Sequence, residues 1–238
     1  MSRDIIYTVS DKINNNPVLW LSADRNITLN GNNVSVWGDR SGNGYDASQS
    51  TPANQPLYVP NALNGKPVLR FDGTNDSLIS SNILPIGQVD NKNLFIVYKA
   101  STPIRYWYQG LFTSNNDQYY GIIYCELVST QQLYLFPTNS GRASSVFKSN
   151  DYNFHIIHRS DHQTITRTYQ DGILLNTFDP AVINYTPDVE YIVGRNTSSN
   201  YGDYFKGDIA EIIIYNQALN DQERIMVEQY LTKKYNII

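Results

Sequence analysis

Apolar and polar residues alternate along most of this chain with the two-residue period that is typical of β-strands. Such runs recur at short intervals and are separated by polar turns, at residues 18–22, 34–37, 67–71, 76–80, 93–100, 109–113, 120–127, 132–136, 152–159, 163–170, 173–178, 190–195 and 207–216. Many short strands at this spacing predict an all-β protein with two antiparallel sheets packed face to face.

The most apolar run lies close to the carboxyl terminus, within residues 209–215. Because side chains alternate along a strand, Ala210, Ile212 and Ile214 share one face. Glu211 falls on the opposite face. This pattern predicts a central strand that is covered on one side.

A helical period replaces the strand period at the end of the chain. Asn220 is a residue type that caps helix amino termini, and Glu223 follows at the capping-box spacing. Apolar residues then recur three or four apart, at Met226, Val227, Tyr230 and Leu231. The pattern predicts one short helix over about residues 220–234.

The clearest hairpin signal is the dipeptide Asp171-Gly172, which separates the runs at 163–170 and 173–178. Both residue types tolerate the positive φ angles of a type I′ turn. We therefore predict a tight hairpin whose two strands meet at this turn.

Five spans carry a family resemblance: 19–23, 36–44, 66–76, 191–195 and 205–224. Together they resemble the laminin-G-like, concanavalin A-like lectin domains of the glucanase superfamily. The resemblance implies a two-sheet antiparallel jelly-roll sandwich with one short C-terminal helix. We expect the core to include Trp20, Trp37, Phe71, Ile212 and Ile214.

The 238 residues contain no Ser/Gly/Pro-rich linker, so we expect a single lectin-like domain over residues 18–238. Residues 1–17 form either an arm or an edge strand. The start of the chain lacks the apolar stretch of a secretory signal, and no apolar run reaches the roughly 18 residues of a membrane span.

The net charge of −4 and the pI near 5.3 lack the basic surface that phosphate binding requires. These values argue against nucleic acid as a partner. The single cysteine, Cys125, has no partner for an internal disulfide, and its strand setting favours a buried apolar role over a reactive thiol.

Candidate catalytic groups are sparse. The related glucanases place paired carboxylates on one strand, and the nearest approach here is Asp188 with Glu190. Pro187 opens that segment and no third acidic residue follows, so we favour a solvated strand start. His155, His158 and His162 have a spacing that suits metal binding on a helix, but strand alternation separates the first two. We expect a protein that is not an enzyme.

A calcium site is the metal hypothesis that the resemblance favours, because such domains hold hard cations with loop oxygens. The candidate ligands are Asp72, Asp76 and Asp208. The alternative is that these acidic turns serve backbone geometry alone.

Aromatic rings mixed with polar side chains indicate a sugar platform, because rings cover the apolar face of a saccharide while polar groups bind its hydroxyls. The candidate residues are Arg105, Tyr106, Trp107, Tyr108, Asn116, Asp117, Tyr119, Tyr201 and Tyr204. Sheet packing or a protein interface would use the same residue types.

The resemblance and the missing catalytic residues favour a lectin-like recognition or structural module on a virus or phage particle or another extracellular assembly. We expect it to bind a glycan or cell-surface polysaccharide, or other subunits of that assembly. Two alternatives stay open: an architectural virion protein without sugar binding, and a glycan-active enzyme of the glucanase superfamily.

Overall fold

The structure, a computed structural model, describes residues 16–86, 91–101, 109–114, 121–127, 130–138, 141–146, 153–162, 165–178, 190–196 and 204–237. These residues form 17 strands, a short 3₁₀ turn at Pro52–Asn54 and one α-helix. The strands are β1 (Leu19–Ser22), β2 (Ile27–Asn30), β3 (Asn33–Trp37), β4 (Ala47–Ser48), β5 (Leu57–Leu63), β6 (Lys66–Asp72), β7 (Leu78–Ser80), β8 (Asn91–Ala100), β9 (Gln109–Ser114), β10 (Gly121–Leu127), β11 (Thr130–Thr138), β12 (Gly141–Val146), β13 (His155–His162), β14 (Ile165–Gln170), β15 (Ile173–Phe178), β16 (Tyr191–Val193) and β17 (Lys206–Tyr215); the helix is α1 (Asp221–Tyr235).

All pairings between strands are antiparallel and they form two layers. The first layer, here the helix sheet, runs β5–β6–β17–β8–β13–β14–β15, with β1 beside the second half of β17. The second layer, here the open sheet, runs β4–β7–β16–β9–β10–β11–β12. Strand β3 joins them because it pairs with both β4 and β5. The predicted all-β sandwich is confirmed.

Two separate apolar cores hold the layers together. The larger core lies between the sheets and contains Trp37, Phe71, Ile212 and Ile214, as predicted. Trp20 is also buried, but it belongs to the second core, which lies between the helix sheet and α1. Burial of such large side chains is the main favourable contribution to folding.

Helix α1 begins where the sequence predicts. The side chain of Asn220 accepts a hydrogen bond from the amide of Glu223, and the carboxylate of Glu223 accepts one from the amide of Asn220. This capping box satisfies two amides that lack partners within the helix. Val227, Leu231 and Tyr235 face the second core, so the helix covers the outer face of the helix sheet.

The predicted pattern of β17 is wrong at one position. Ile212 and Ile214 face the inter-sheet core, whereas Ala210 faces the helix. The register with β8 shifts between Ile209 and Glu211, so a β-bulge breaks the alternation there. The strand is also covered on both faces, because α1 lies on the side that the sequence analysis left open.

The Asp171-Gly172 hairpin is confirmed: both residues have positive φ, 51° and 79°, and they connect β14 to β15. The sequence pattern predicts no strand at β2, β4, β5 or β12. Most of β2 is exposed, so it has no apolar stripe, and Pro60 interrupts β5 where its pairing with β6 shifts.

Within the described ranges, no helix has the length and apolar character to cross a membrane.

Candidate functional site

Three parts of the chain that are distant in sequence meet at one end of the sandwich. The amide of Ser101 donates to the carbonyl of Lys206 at 3.0 Å, and the amide of Lys206 donates to the Gln109 side-chain oxygen at 2.9 Å. The amide of Phe205 donates to the carbonyl of Gly194 at 2.8 Å. We call the side chains of this end the rim: Gln109, Arg195, Tyr204 and Lys206.

Two glycines fix the backbone at Arg195. Gly110 lies so close that a Cβ there would be 2.4 Å from the Arg195 carbonyl oxygen, which also accepts a 2.8 Å bond from the Thr113 hydroxyl. Gly194 has a φ of +85°, and a Cβ there would be 2.3 Å from the Phe71 ring. Larger residues at either glycine would displace Arg195, so its position is built into the fold.

Arg195 and Tyr204 form the most distinctive pair of the rim. They face each other across an isolated antiparallel bridge, and the guanidinium carbon lies 5.3 Å from the centre of the tyrosine ring, within cation–π range. Both side chains are partly buried. The Nε atom of Arg195 is buried and has no hydrogen-bond acceptor in the part of the chain that the structure describes.

An acidic turn borders the rim. Asp72 Oδ1 accepts bonds from the amides of Thr74 and Asn75, and Asp76 Oδ2 accepts one from the amide of Asp72 at 2.9 Å. Burial, with a smaller contribution from the neighbouring Asp72 charge, raises the pKa of Asp76 to about 6. The turn abuts Lys206, because a Cβ at Gly73 would be 2.7 Å from the Lys206 Cβ.

Asp208, the third calcium candidate, is engaged elsewhere. Its two oxygens accept bonds from Nε and Nη2 of Arg70 at 2.7 and 2.9 Å. A cation at Asp208 would therefore have to compete with a two-point ion pair. No group of three or more His, Cys, Asp or Glu residues suited to a metal ion occurs among the described residues. Calcium binding through Asp72, Asp76 and Asp208 stays a prediction.

Most of the predicted sugar platform lies outside the described residues, namely Arg105, Tyr106, Trp107, Tyr108, Asn116, Asp117, Tyr119 and Tyr201. Its described neighbours are informative. Gln109, which follows residues 105–108, belongs to the rim and bonds to Lys206. Ser114, which precedes residues 116–119, lies at the other end of β9, opposite Tyr191. The six residues of β9 hold these two attachment points about 17 Å apart.

The sequence does not indicate Arg195 or Lys206 as binding residues, and Gln109 enters only as the end of the aromatic and polar run at 105–109. Arg195 lies in the family-like span 191–195, where it served only to support the fold. Only the tertiary structure identifies Arg195, because the residues that fix its backbone are distant in sequence. Thr113, for example, lies 82 positions away.

The three histidines do not form a site together. His158 is buried, stacks on Phe95 with 4.0 Å between ring centres and lies 3.0 Å from the Asn93 side-chain oxygen. Burial lowers its pKa, although Glu228 lies 3.5 Å away and acts in the opposite direction. His155 instead contacts Asp171 at 2.7 Å, and His162 is exposed. His155 and His158 thus serve packing and hairpin contacts.

Comparison with known proteins yields structural matches only: no family model and no curated protein matches the chain. The binding domain of botulinum neurotoxin serotype D matches with a TM-score of 0.64 at 16% identity, over 94% of this chain and 53% of that one. A structure of botulinum neurotoxin type C, whose cell entry depends on two ganglioside molecules, matches with a TM-score of 0.67 at 12% identity, over 93% and 53% of the two chains.

A third match is domain 4 of an extracellular arabinanase from Geobacillus stearothermophilus, solved in complex with arabinotriose. Its TM-score is 0.62 at 15% identity, over 88% of this chain and 97% of that domain. The chain spans about half the length of the toxin domains but nearly the whole arabinanase domain. At these identities the matches show that the chain has the fold of these β-sandwich domains.

Proposed function

We propose that the protein is a non-enzymatic carbohydrate-recognition module whose ligand binds at the rim. The observation that carries the proposal is the Arg195–Tyr204 pair. A tyrosine ring offers a flat apolar surface to a sugar ring, and a guanidinium beside it donates hydrogen bonds to oxygens on the sugar's edge. The close approach of Gly110 and the positive φ of Gly194 fix the backbone from which the arginine side chain extends.

Such rigidity supports a binding role, because a side chain that is already ordered loses less conformational entropy on binding. The backbone of Arg195 is fixed from two directions, by the Thr113 hydroxyl on its carbonyl and by the neighbouring Gly194, whose amide donates to Leu111. Few polar groups, placed accurately, are what small-ligand sites use to orient their ligands.

The structural neighbours support the same class of function. The arabinanase domain was solved with arabinotriose, and it matches this chain over nearly its full length. The toxin comparison is weaker support, because the ganglioside contacts named for type C belong to a chain twice as long as the matched region.

The hydrogen bonds of Asp72 and Asp76, in the acidic turn that borders the rim, favour recognition over hydrolysis. One oxygen of Asp72 and one of Asp76 accept bonds from amides of their own turn, which is a structural use of these groups. A retaining or inverting glycosidase needs one carboxyl group free to protonate the leaving oxygen and another facing the anomeric carbon. Release of reducing ends from polysaccharides would be the measurement that supports the enzyme alternative instead.

The proposal is tested with a glycan array followed by calorimetric titration of the best ligand. We expect Tyr204→Ala to weaken glycan binding at least tenfold, because it removes the ring that contacts the sugar. A tenfold loss of affinity corresponds to about 1.4 kcal/mol of binding free energy. Tyr58→Ala is the matched control, because Tyr58 is partly buried but belongs to none of the rim elements. Equal affinity of the Tyr204→Ala and wild-type proteins would remove the rim from the proposal.

Trp107→Ala tests the remainder of the predicted platform in the same assay. A stable Trp107→Ala protein without glycan binding would extend the site from Gln109 into residues 105–108. Location on a virus or phage particle, with other subunits as partners, stays a prediction that copurification with such particles would test.

A further inference from the structure

The arginines of this protein differ in how their charge is compensated. Arg70 pairs with Asp208, and Arg159 pairs with Asp161 at 3.0 Å. Arg224 pairs with Glu228 at 2.6 Å. The backbone of Arg195 is fixed, yet no carboxylate lies within ion-pair distance of its side chain among the residues that the structure describes.

Leaving a guanidinium in this state is unfavourable for the folded protein. A buried donor without an acceptor forfeits its hydrogen bonds to water, and cation–π contact with Tyr204 compensates only part of that loss. A ligand that supplies an oxyanion would provide the missing acceptor. Planar guanidinium groups bind such groups through two parallel hydrogen bonds, as Arg70 does with Asp208 in this molecule.

We infer that the rim recognises an acidic glycan, in which Arg195 binds a carboxylate or sulfate group of a sugar while Tyr204 contacts the sugar ring. This inference rests on the proposed function and specifies its ligand class. Lys206 is a second cation of the same rim. Its backbone is fixed by Gln109, so both positive groups extend from ordered backbone.

The charge of the whole molecule does not explain such a preference. The net charge of −4 repels anions at long range, so the attraction has to be local. Arg195 and Lys206 provide that local charge beside the Asp72–Asp76 turn. We therefore expect acidic glycan binding to weaken as salt is added, because added ions screen partly exposed charges.

The test uses an array on which each acidic glycan is printed beside its neutral counterpart, made by carboxyl reduction or by removal of sulfate. We expect the wild-type protein to bind acidic members 10- to 100-fold more tightly than their neutral counterparts, the range of a charge-assisted hydrogen bond. Comparison of the carboxylated glycans with the sulfated glycans on the same array identifies which oxyanion is preferred.

Arg195→Met should abolish this preference, because methionine replaces the aliphatic stem of arginine but carries no charge and no hydrogen-bond donor. Arg195→Lys should retain part of the preference, since lysine keeps the charge but lacks the planar fork. Arg25→Met is the control: it removes the same charge from an exposed arginine in the turn after β1 and should leave the preference unchanged.

The outcomes separate the inference from the proposed function. Tyr204-dependent binding with equal affinity for acidic and neutral partners would overturn the inference and leave the proposed function intact. A preference for acidic members that survives Arg195→Met in a folded protein would also overturn it. Failure to bind any glycan on the array would overturn both.

Discussion

Two charged side chains of this protein, Glu211 under α1 and Arg195 at the rim, differ in how their buried polar atoms are satisfied. Under α1, Glu211 is fully buried and accepts four hydrogen bonds: from Trp20 Nε1 at 2.6 Å, Lys234 Nζ at 2.7 Å, Tyr235 OH at 2.6 Å and Tyr230 OH at 3.1 Å. At the rim, Arg195 has a buried Nε without an acceptor in the described structure.

The difference indicates what each charge is for. A buried carboxylate that is surrounded by donors from a strand and a helix fastens those elements together, and nothing remains for a ligand to bind. Arg195 has a fixed backbone and an Nε without an acceptor in the described structure, and the proposed ligand would supply that acceptor. The same physical rule, that buried polar groups require partners, therefore identifies one structural site and one candidate binding site.

The largest effect should come from breaking the Glu211 cluster. Glu211→Ala leaves the Lys234 ammonium without its fully buried carboxylate partner, and we expect a loss of about 3–5 kcal/mol in the free energy of unfolding. Urea denaturation measures it. Glu211→Gln keeps an acceptor for the Trp20 indole and should cost less. If Glu211→Ala and the wild type have the same urea concentration at the midpoint of unfolding, the cluster does not hold α1 to the sheet.

The rim should be most sensitive at Gly194. Gly194→Ala places a side chain at a φ of +85° and against the Phe71 ring, so we expect a loss of about 2–3 kcal/mol together with weaker glycan binding. Gly42→Ala is the matched control, because Gly42 has a φ of +89° but no atom within 4 Å of its would-be Cβ. Equal losses in both variants would show that backbone strain alone, without the Phe71 contact, determines the effect.

The acidic turn should make stability depend on pH. The folded pKa of Asp76, about 6, is higher than its unfolded value, so its stabilising contribution is complete below about pH 4. It is lost as pH rises through 6, by an amount on the order of 2 kcal/mol. Asp76→Asn cannot ionise, so its advantage over the wild type should grow from pH 4 to 7 in urea denaturation. Parallel curves for the two proteins would contradict the raised pKa.

Calcium should have a smaller effect. If Asp72 and Asp76 bind the cation, the wild-type protein is stabilised by about 1.4 kcal/mol when calcium is tenfold above its dissociation constant. Thermal melts in calcium and in chelator would measure the difference, and Asp72→Asn should abolish it. Superimposed melts at millimolar calcium would exclude the predicted site.

The smallest expected effect, that of Arg195→Met on stability, tests the comparison with Glu211 most directly. Arg195→Met should change the free energy of unfolding by no more than about 0.5 kcal/mol, because it removes a charge that has no acceptor in the described structure. Chemical denaturation measures it beside Glu211→Ala. A loss as large as that of Glu211→Ala would mean that Arg195 serves folding.

Local pattern was sufficient for most of the elements. Two-residue alternation indicated most of the strands, Asp171-Gly172 indicated the tight turn, and Asn220 with Glu223 marked the first turn of α1. Each of these signals acts over a few residues, where the backbone and its nearest neighbours decide the conformation. The burial of Trp37 and Phe71 followed from the same patterns and from the family resemblance.

The candidate site was only partly accessible from the sequence. Aromatic residues next to polar ones suit a sugar, and on that ground the sequence predicts Tyr204 as a sugar contact. In the structure Tyr204 lies at the rim beside Arg195. Asp208 was selected as a metal ligand from its place at the start of a strand, but its partner Arg70 lies 138 positions away. No local sequence pattern predicts an ion pair between residues so far apart in the chain.

The sequence by itself determined most strand segments, the helix, the Asp171-Gly172 turn and the two-layer class of fold, because these depend on periodicity and on short-range backbone preferences. Only the tertiary structure decided which charges are compensated. The bulge that turns Ala210 towards α1, the indole that reaches Glu211 from 191 positions away and the glycine that presses against Arg195 all depend on packing between distant segments. That packing decides which buried charges have partners, and it leaves the Arg195 Nε without an acceptor in the described structure, where we propose that a ligand binds.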